Sequence, residues 1–312
     1  MVKIDRHVKS RGILRPVIEL AAPHTWPAAV MPVLMAIACA AARGAPLRPW
    51  VGVLTLGVSV LLQSAVNTLN DYRDFKKGLD TPDNCTDPTD AALIYTSISP
   101  RGALAVGLSF LLAAALLGAY LTALCGASLL WYAAAAAGAI ALYVLPGISF
   151  SELPLGELLS GAAMGLVLPC AAWHAQTGSF SWQAVPVFLP SFLTIACIML
   201  TNNTSDIEKD RESSRRTLPV CIGRKAATIL LRCVLVGSAV LVGVQTLLSF
   251  PGGAAALVPM AAGLAISPRT RAIFAGPVNA QRRRENMGSV LSWCVWVCAG
   301  FTACMTLSAL II

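Results

Sequence analysis

Along this chain, long apolar runs alternate with short breaks that hold charge, glycine or proline. A membrane-spanning helix needs about twenty mainly apolar residues. Nine runs approach that length, at 26–42, 50–69, 103–121, 127–144, 155–173, 185–200, 226–248, 253–266 and 289–312. The eighth is short and the fourth is alanine-rich. The sequence lacks the alternation over about ten residues that a membrane barrel strand shows, and lipid admits only helices and closed barrels. The pattern predicts an all-α, polytopic membrane protein with nine transmembrane helices. It reads as one domain over 1–312, with 1–22 as a cytoplasmic N-terminal segment.

The breaks also give an orientation. Lys and Arg accumulate on the cytoplasmic side of membrane proteins. With the N-terminus inside, nine spans put 20 of the 23 basic residues in cytoplasmic segments. Arg43 and Arg48 fall outside, and Arg232 lies within the seventh run. Lys3, Arg6, Lys9, Arg11 and Arg15 precede a first run that a second follows closely, which reads as a retained helix and not a cleaved leader.

Composition excludes a soluble enzyme. Hydrophobic residues make up 56% and charged residues 12%, against about 25% charged in a typical soluble domain. The net charge of +8 needs no nucleic acid, because Lys and Arg beside anionic headgroups account for it, the run Arg282-Arg283-Arg284 included. Ten cysteines form no CxxC pair, and His7, His24 and His174 are the only histidines. That argues against a disulfide framework or a zinc site.

The acids carry the chemical signal. Asp71, Asp74, Asp80, Asp83, Asp87 and Asp90 follow the second run, and Asp206, Glu208, Asp210 and Glu212 follow the sixth. Like charges this dense repel strongly beside a low-dielectric membrane, so a cation is expected between them. On a helix, Asn67, Asn70, Asp71 and Asp74 share one face, as do Asn203, Asp206 and Asp210. Hard oxygen donors without Cys or His suit Mg²⁺, which takes one or two carboxylates plus phosphate oxygens. Two such faces across a cavity could hold a diphosphate bridged by metal. Lys76, Lys77, Lys209, Arg211, Arg215 and Arg216 stand beside the acids and can bind phosphate oxygens that the metal leaves. Glu157, an acid at a membrane boundary, is a further candidate.

These segments resemble the UbiA superfamily of intramembrane aromatic prenyltransferases. The resemblance rests on PHTWPAAVMPVL (23–34), NTLNDYRDFKKGLDTPDN (67–84), ISPRGAL (98–104), LPLGELLSG (153–161), AQTGS (175–179) and TNNTSDIEKDRESSRRTLPVCIG (201–223). It is closest to the branch that prenylates 1,4-dihydroxy-2-naphthoate in menaquinone synthesis. The resemblance implies nine helices around a central cavity in a bacterial plasma membrane, with both motifs facing the cytoplasm. It also implies Mg²⁺ ligation by Asn67, Asp71, Asp74, Asp206 and Asp210, with Asn70 and Asn203 beside them at the diphosphate. The implied reaction ionises a polyprenyl diphosphate and alkylates an electron-rich ring, with loss of its carboxylate as CO₂. Tyr72, Asp80, Tyr143 and Glu157 complete the candidates, for contact with the acceptor or support of the ligands, and Tyr72, Tyr143 and Trp173 are candidate rings to stabilise an allylic cation through their faces.

Two rival readings differ in chemistry. One is prenyl transfer to a 4-hydroxybenzoate- or homogentisate-like ring. The other is an ion or anion transporter, which would favour acids near mid-membrane, whereas these cluster at one boundary. Transfer of a phosphoalcohol from a nucleotide would need a DGxxAR-type signature, which is not present.

Overall fold

The structure is a computed structural model that describes residues 14–79, 81, 92–144 and 150–311. Asp80, Asp83, Asp87, Asp90 and the bases from Lys3 to Arg11 lie outside the described residues. Among those described, every regular element is helical. The main ones are α1 (Leu14–Ala21), α2 (Pro27–Ala42), α3 (Pro49–Lys76), α4 (Pro100–Cys125), α5 (Leu130–Val144) and α6 (Gly156–Thr177). They continue with α7 (Leu189–Ser205), α8 (Ile207–Glu212), α9 (Arg224–Ser249), α10 (Leu257–Ile266) and α11 (Arg283–Ile311).

Each of the nine apolar runs coincides with a helix. By length and hydropathy six of the described helices can cross a membrane: α3, α4, α6, α7 with its preceding turn, α9 and α11. The Leu14–Thr25 and Pro27–Ala42 pair, bent by 55°, makes a seventh if it is one span. The break between the two falls at Trp26, after Ala22 adopts a left-handed conformation (φ 49°) just before Pro23 and where a second proline, Pro27, opens α2. The fourth and eighth runs form the shorter apolar helices Ala127–Tyr143 and Pro251–Ile266.

Two features of the bundle position the site. The first is the length of α3. Its 28 residues extend about 42 Å at 1.5 Å per residue, while a hydrocarbon core is about 30 Å thick. The surplus turns carry Asn70, Asp71 and Asp74 past the apolar part of the helix without a break in the backbone.

The second is the seam between α6 and α7. Gly161 and Gly165 repeat at the four-residue spacing that lets membrane helices touch backbone to backbone. A Cβ at Gly165 would lie 2.4 Å from the Phe192 Cα. Ser191 Oγ donates to the Gly165 carbonyl at 2.6 Å. The α6 backbone widens into a π-turn over Ala163–Val167 just before Pro169, whose ring cannot donate to the helix ladder. Across this seam Asn203 Nδ2 donates to Glu157 Oε1 at 2.8 Å, tying the end of α7 to the start of α6.

Candidate active site

The surplus end of α3 and the end of α7 meet at one small polar chamber of about 60 Å³. From α3 it is lined by Asn70, Asp71 and Asp74. From α7 and the turn after it come Asn202, Asn203, Asp206 and Lys209. Tyr143, Ser151, Arg215 and Arg283 close the remaining sides.

A second cavity of about 1,150 Å³ adjoins it, walled mainly by apolar side chains such as Leu62, Val66, Ile140, Met164, Val167 and Leu291. The two spaces share Asn70, Asp71, Tyr143, Asn202 and Arg283. Along α3 the large cavity reaches from Asp71 back to Thr55, about 24 Å at helical rise. Near that far end Tyr132 lines the wall and sits edge-on to His174 with ring centroids 5.6 Å apart. His174 is also within 2.9 Å of Ser128 Oγ. Trp173, one of the aromatic candidates, packs in the hydrophobic core and not on the cavity wall.

Several charges in and beside the chamber are paired. Arg283 Nη1 donates to both carboxylate oxygens of Asp206 at 2.6 Å, and Nη2 donates to Asn202 Oδ1. Arg73 Nε donates to Asp74 Oδ1 at 3.1 Å, while its Nη1 donates to the Tyr143 carbonyl and to Ser151 Oγ, both at 3.0 Å. Asn70 Nδ2 donates to Asp74 Oδ2 at 3.3 Å. Arg215 pairs with Asp210 at 3.3 Å, and Thr217 donates to the same carboxylate at 2.9 Å. Burial pushes the Asp210 carboxyl above its ordinary range, against the opposing pull of Arg215 and Thr217. Burial works against the charge of Arg215, but Asp74 and Asp210 outweigh it and raise its pKa.

The structure thus gathers Asn70, Asp71, Asp74, Tyr143, Asn203, Asp206, Lys209 and Arg215 from the sequence-based candidates. It places others elsewhere. Asn67 turns toward the α1–α2 bend, donating to Thr25 Oγ1 at 2.9 Å, and lines the large cavity. Lys77 pairs with Glu152, and Lys76, Arg211 and Arg216 are exposed. Glu157 is buried behind Asn203, and half-buried Tyr72 lines neither space. Asp210 points to Arg215 because the helix breaks at Asp206 (φ −100°, ψ 15°), so helical spacing does not carry across from Asn203 to Asp210.

Three chamber residues escaped sequence reasoning. Asn202 is one helical turn before Asp206, so the 202/206 spacing signalled it. Arg283 was hidden in a basic run that reads as headgroup charge, and Ser151 carries no signal of its own.

A UbiA prenyltransferase family model matches residues 29–287. The chain belongs to this family. It is therefore a membrane prenyltransferase. It is 32% identical over 222 residues to the 1,4-dihydroxy-2-naphthoate octaprenyltransferase of Bacillus subtilis, covering 68% of each chain. The enzyme of the same name from Mycobacterium tuberculosis is 29% identical over 275 residues, covering 87% of this chain and 88% of that one. Likeness to the dihydroxynaphthoate branch is thus found along most of the sequence. Among solved structures, a UbiA homolog from Archaeoglobus fulgidus bound to DMAPP and Mg²⁺ superposes with a TM-score of 0.57 at 16% identity. It covers 91% of this chain and 99% of that one. A digeranylgeranylglyceryl phosphate synthase gives 0.58 at 16% identity, covering 94% and 98%. These two show a shared fold.

The chamber's donors fit a hard divalent cation. No three His, Cys, Asp or Glu side chains converge among the described residues. Mg²⁺ does not require three, since it keeps waters and takes phosphate oxygens alongside one or two carboxylates. The chamber offers the carboxylates of Asp71 and Asp206, amide oxygens and no sulfur or imidazole. The Asn70 Oδ1 oxygen is buried and has no hydrogen-bond partner among the described residues. A buried acceptor of this kind is costly unless something electropositive meets it.

Proposed function

We propose that this chain transfers a polyprenyl group from polyprenyl diphosphate to 1,4-dihydroxy-2-naphthoate, with loss of CO₂, in menaquinone biosynthesis. The observation that carries the proposal is one polar chamber, walled by Asp71 and Asp206 from two different helices, opening directly into a long apolar cavity. The relatives named for this acceptor support its identity. The protein would act in a bacterial plasma membrane with nine helical passes, its N-terminus and polar chamber on the cytoplasmic side.

In this reading Asp71 and Asp206, with Asn70 and Asn202 beside them, hold Mg²⁺. Bound there, the metal supplies positive charge to a departing diphosphate. Lys209, Arg215 and Arg283 line the same chamber and bind phosphate oxygens, so charge that develops on the leaving group meets fixed cations. The allylic carbon–oxygen bond breaks and its electron pair leaves with the diphosphate. Tyr143 lies where the two spaces join, a place from which its ring would meet the carbon being released. The apolar wall houses the prenyl tail and excludes water that would otherwise capture the allylic cation. The acceptor ring forms the new carbon–carbon bond at its carboxyl-bearing carbon, and departure of CO₂ restores the aromatic ring.

The test is a membrane assay with polyprenyl diphosphate, Mg²⁺ and a panel of aromatic acids. Mg²⁺-dependent diphosphate release with dihydroxynaphthoate is expected, and Asp71→Asn and Asp206→Asn should each cut the rate by at least ~100-fold. Unchanged rates in both variants would remove the site. Turnover of 4-hydroxybenzoate alone would keep the reaction and replace the acceptor.

A further inference from the structure

Arg283 stands apart from the other arginines in and beside the chamber. Arg73 is sequestered, with a side chain 7% exposed and bonds to a backbone carbonyl and to Ser151. Arg215 lines the chamber but pairs with Asp210, a carboxylate that does not line it. Arg283 instead pairs with Asp206, and one of its nitrogens donates to both carboxylate oxygens. Its remaining arm reaches Asn202, one turn earlier on α7. It thus covers the oxygen donors that the end of α7 presents to the chamber.

A divalent cation and the guanidinium compete for those oxygens. Arg283 Nη1 already spans both of them, and like charges within contact distance repel strongly at the edge of a low-dielectric cavity. A metal that binds Asp206 therefore favours release of Arg283. The displaced side chain has a place to go, because Arg283 lines both the polar chamber and the large cavity. Its planar donor set suits two phosphate oxygens as well as it suits a carboxylate.

The backbone beneath it is pinned. Asn279 Oδ1 accepts from the Arg282 amide at 3.1 Å, Asn286 Nδ2 donates to the Pro277 carbonyl, and Ser289 Oγ accepts from the Ile273 amide at 3.0 Å. Motion is thereby confined to the long Arg283 side chain.

We infer that Arg283 is an exchangeable counter-ion: it competes with the divalent metal for Asp206 and passes to the diphosphate when metal and substrate enter together. Metal alone then binds weakly, and metal with diphosphate binds well, so the site assembles only around the complete leaving group. The inference rests on the prenyl-diphosphate reading and adds a binding order to it.

The test measures Mn²⁺ binding to the purified full chain by electron paramagnetic resonance, alone and with inorganic pyrophosphate. The KM for prenyl diphosphate is read alongside. Arg283→Gln should bind Mn²⁺ alone about tenfold more tightly, which is ~1.4 kcal/mol, while pyrophosphate affinity falls and KM rises by about the same factor. Arg283→Lys keeps the charge but loses the planar donor set, and should shift both in the same directions by less. Lys225→Gln removes one positive charge from an exposed site outside both spaces and should change neither. If Arg283→Gln leaves Mn²⁺ affinity unchanged or weakens it, while the wild type remains active, the exchange is refuted and the prenyl-diphosphate reading stands. An equal shift in Lys225→Gln would also overturn it, by showing a diffuse charge effect. A wild type that neither binds Mn²⁺ with pyrophosphate nor releases diphosphate would end both.

Discussion

Replacing Gly165 with alanine asks whether the seam between α6 and α7 sets the geometry of the polar chamber. The new methyl would sit 2.4 Å from the Phe192 Cα and 2.5 Å from its backbone nitrogen, where ordinary contact begins near 3.4 Å. Both neighbours are main-chain atoms, so no side chain can rotate away. The helices must separate by about 1 Å locally, and such overpacking costs about 1–3 kcal/mol. At this chain length that lowers the melting temperature by about 2 °C per kcal/mol. The same separation pulls on the 2.8 Å bond from Asn203 to Glu157 and shifts Asn202 and Asp206 relative to α3. A displacement near 1 Å in a reacting site can lower a rate by about 100-fold. Melting in detergent, followed by intrinsic fluorescence, and initial rates of diphosphate release are the assays. A variant with the wild-type melting point and rate would show that the seam does not position the site.

Other consequences can be checked directly. Chelation of divalent cations should abolish diphosphate release, and added Mg²⁺ should restore it; full activity in excess chelator would refute the metal assignment. If the Tyr143 ring and not its hydroxyl meets the released carbon, as proposed, Tyr143→Phe should retain most of the rate and Tyr143→Leu should lose about tenfold or more; equal rates for both would remove that role. Burial alone would raise the Glu152 carboxyl, but the bond from Lys77, with Arg73 and Arg215 nearby, outweighs it and holds the pKa below the ordinary 4.5. Its contribution to stability is therefore present above pH 4.5 and lost as pH falls through the lowered value. Glu152→Gln should flatten that acid limb of a stability profile. An unchanged profile would show the pair to be inert.

Much of this arrangement was legible because membrane helices write their limits in composition. Apolar runs bounded by charge located every long helix, and the Asn and Asp clusters at two run ends located both walls of the chamber. What escaped depended on local breaks. The helix ends at Ser205 and bends at Asp206, so a face extrapolated from Asn203 through Asp210 misplaces Asp210 and overlooks Asn202. Arg283 lies 77 residues from Asp206 along the chain, and nothing in a basic triplet says which member turns inward. Lys77 caps the end of the helix that carries Asp71, but Glu152 offers it an exposed partner. Asn67 has the right spacing, yet the bend before α2 brings Thr25 to it first.

The two spaces share five side chains, and this collar has a consequence for turnover. Asp71 and Arg283 give it opposite charges, so it grips a head that is ionic and offers little to one that is neutral. Coupling as proposed removes both the phosphates and the carboxylate from the molecule that keeps the tail. Once they are gone, the product carries no formal charge for the collar to hold, and the surrounding lipid receives its tail equally well. The chemistry itself loosens the grip, and departure sideways into the bilayer needs no separate push.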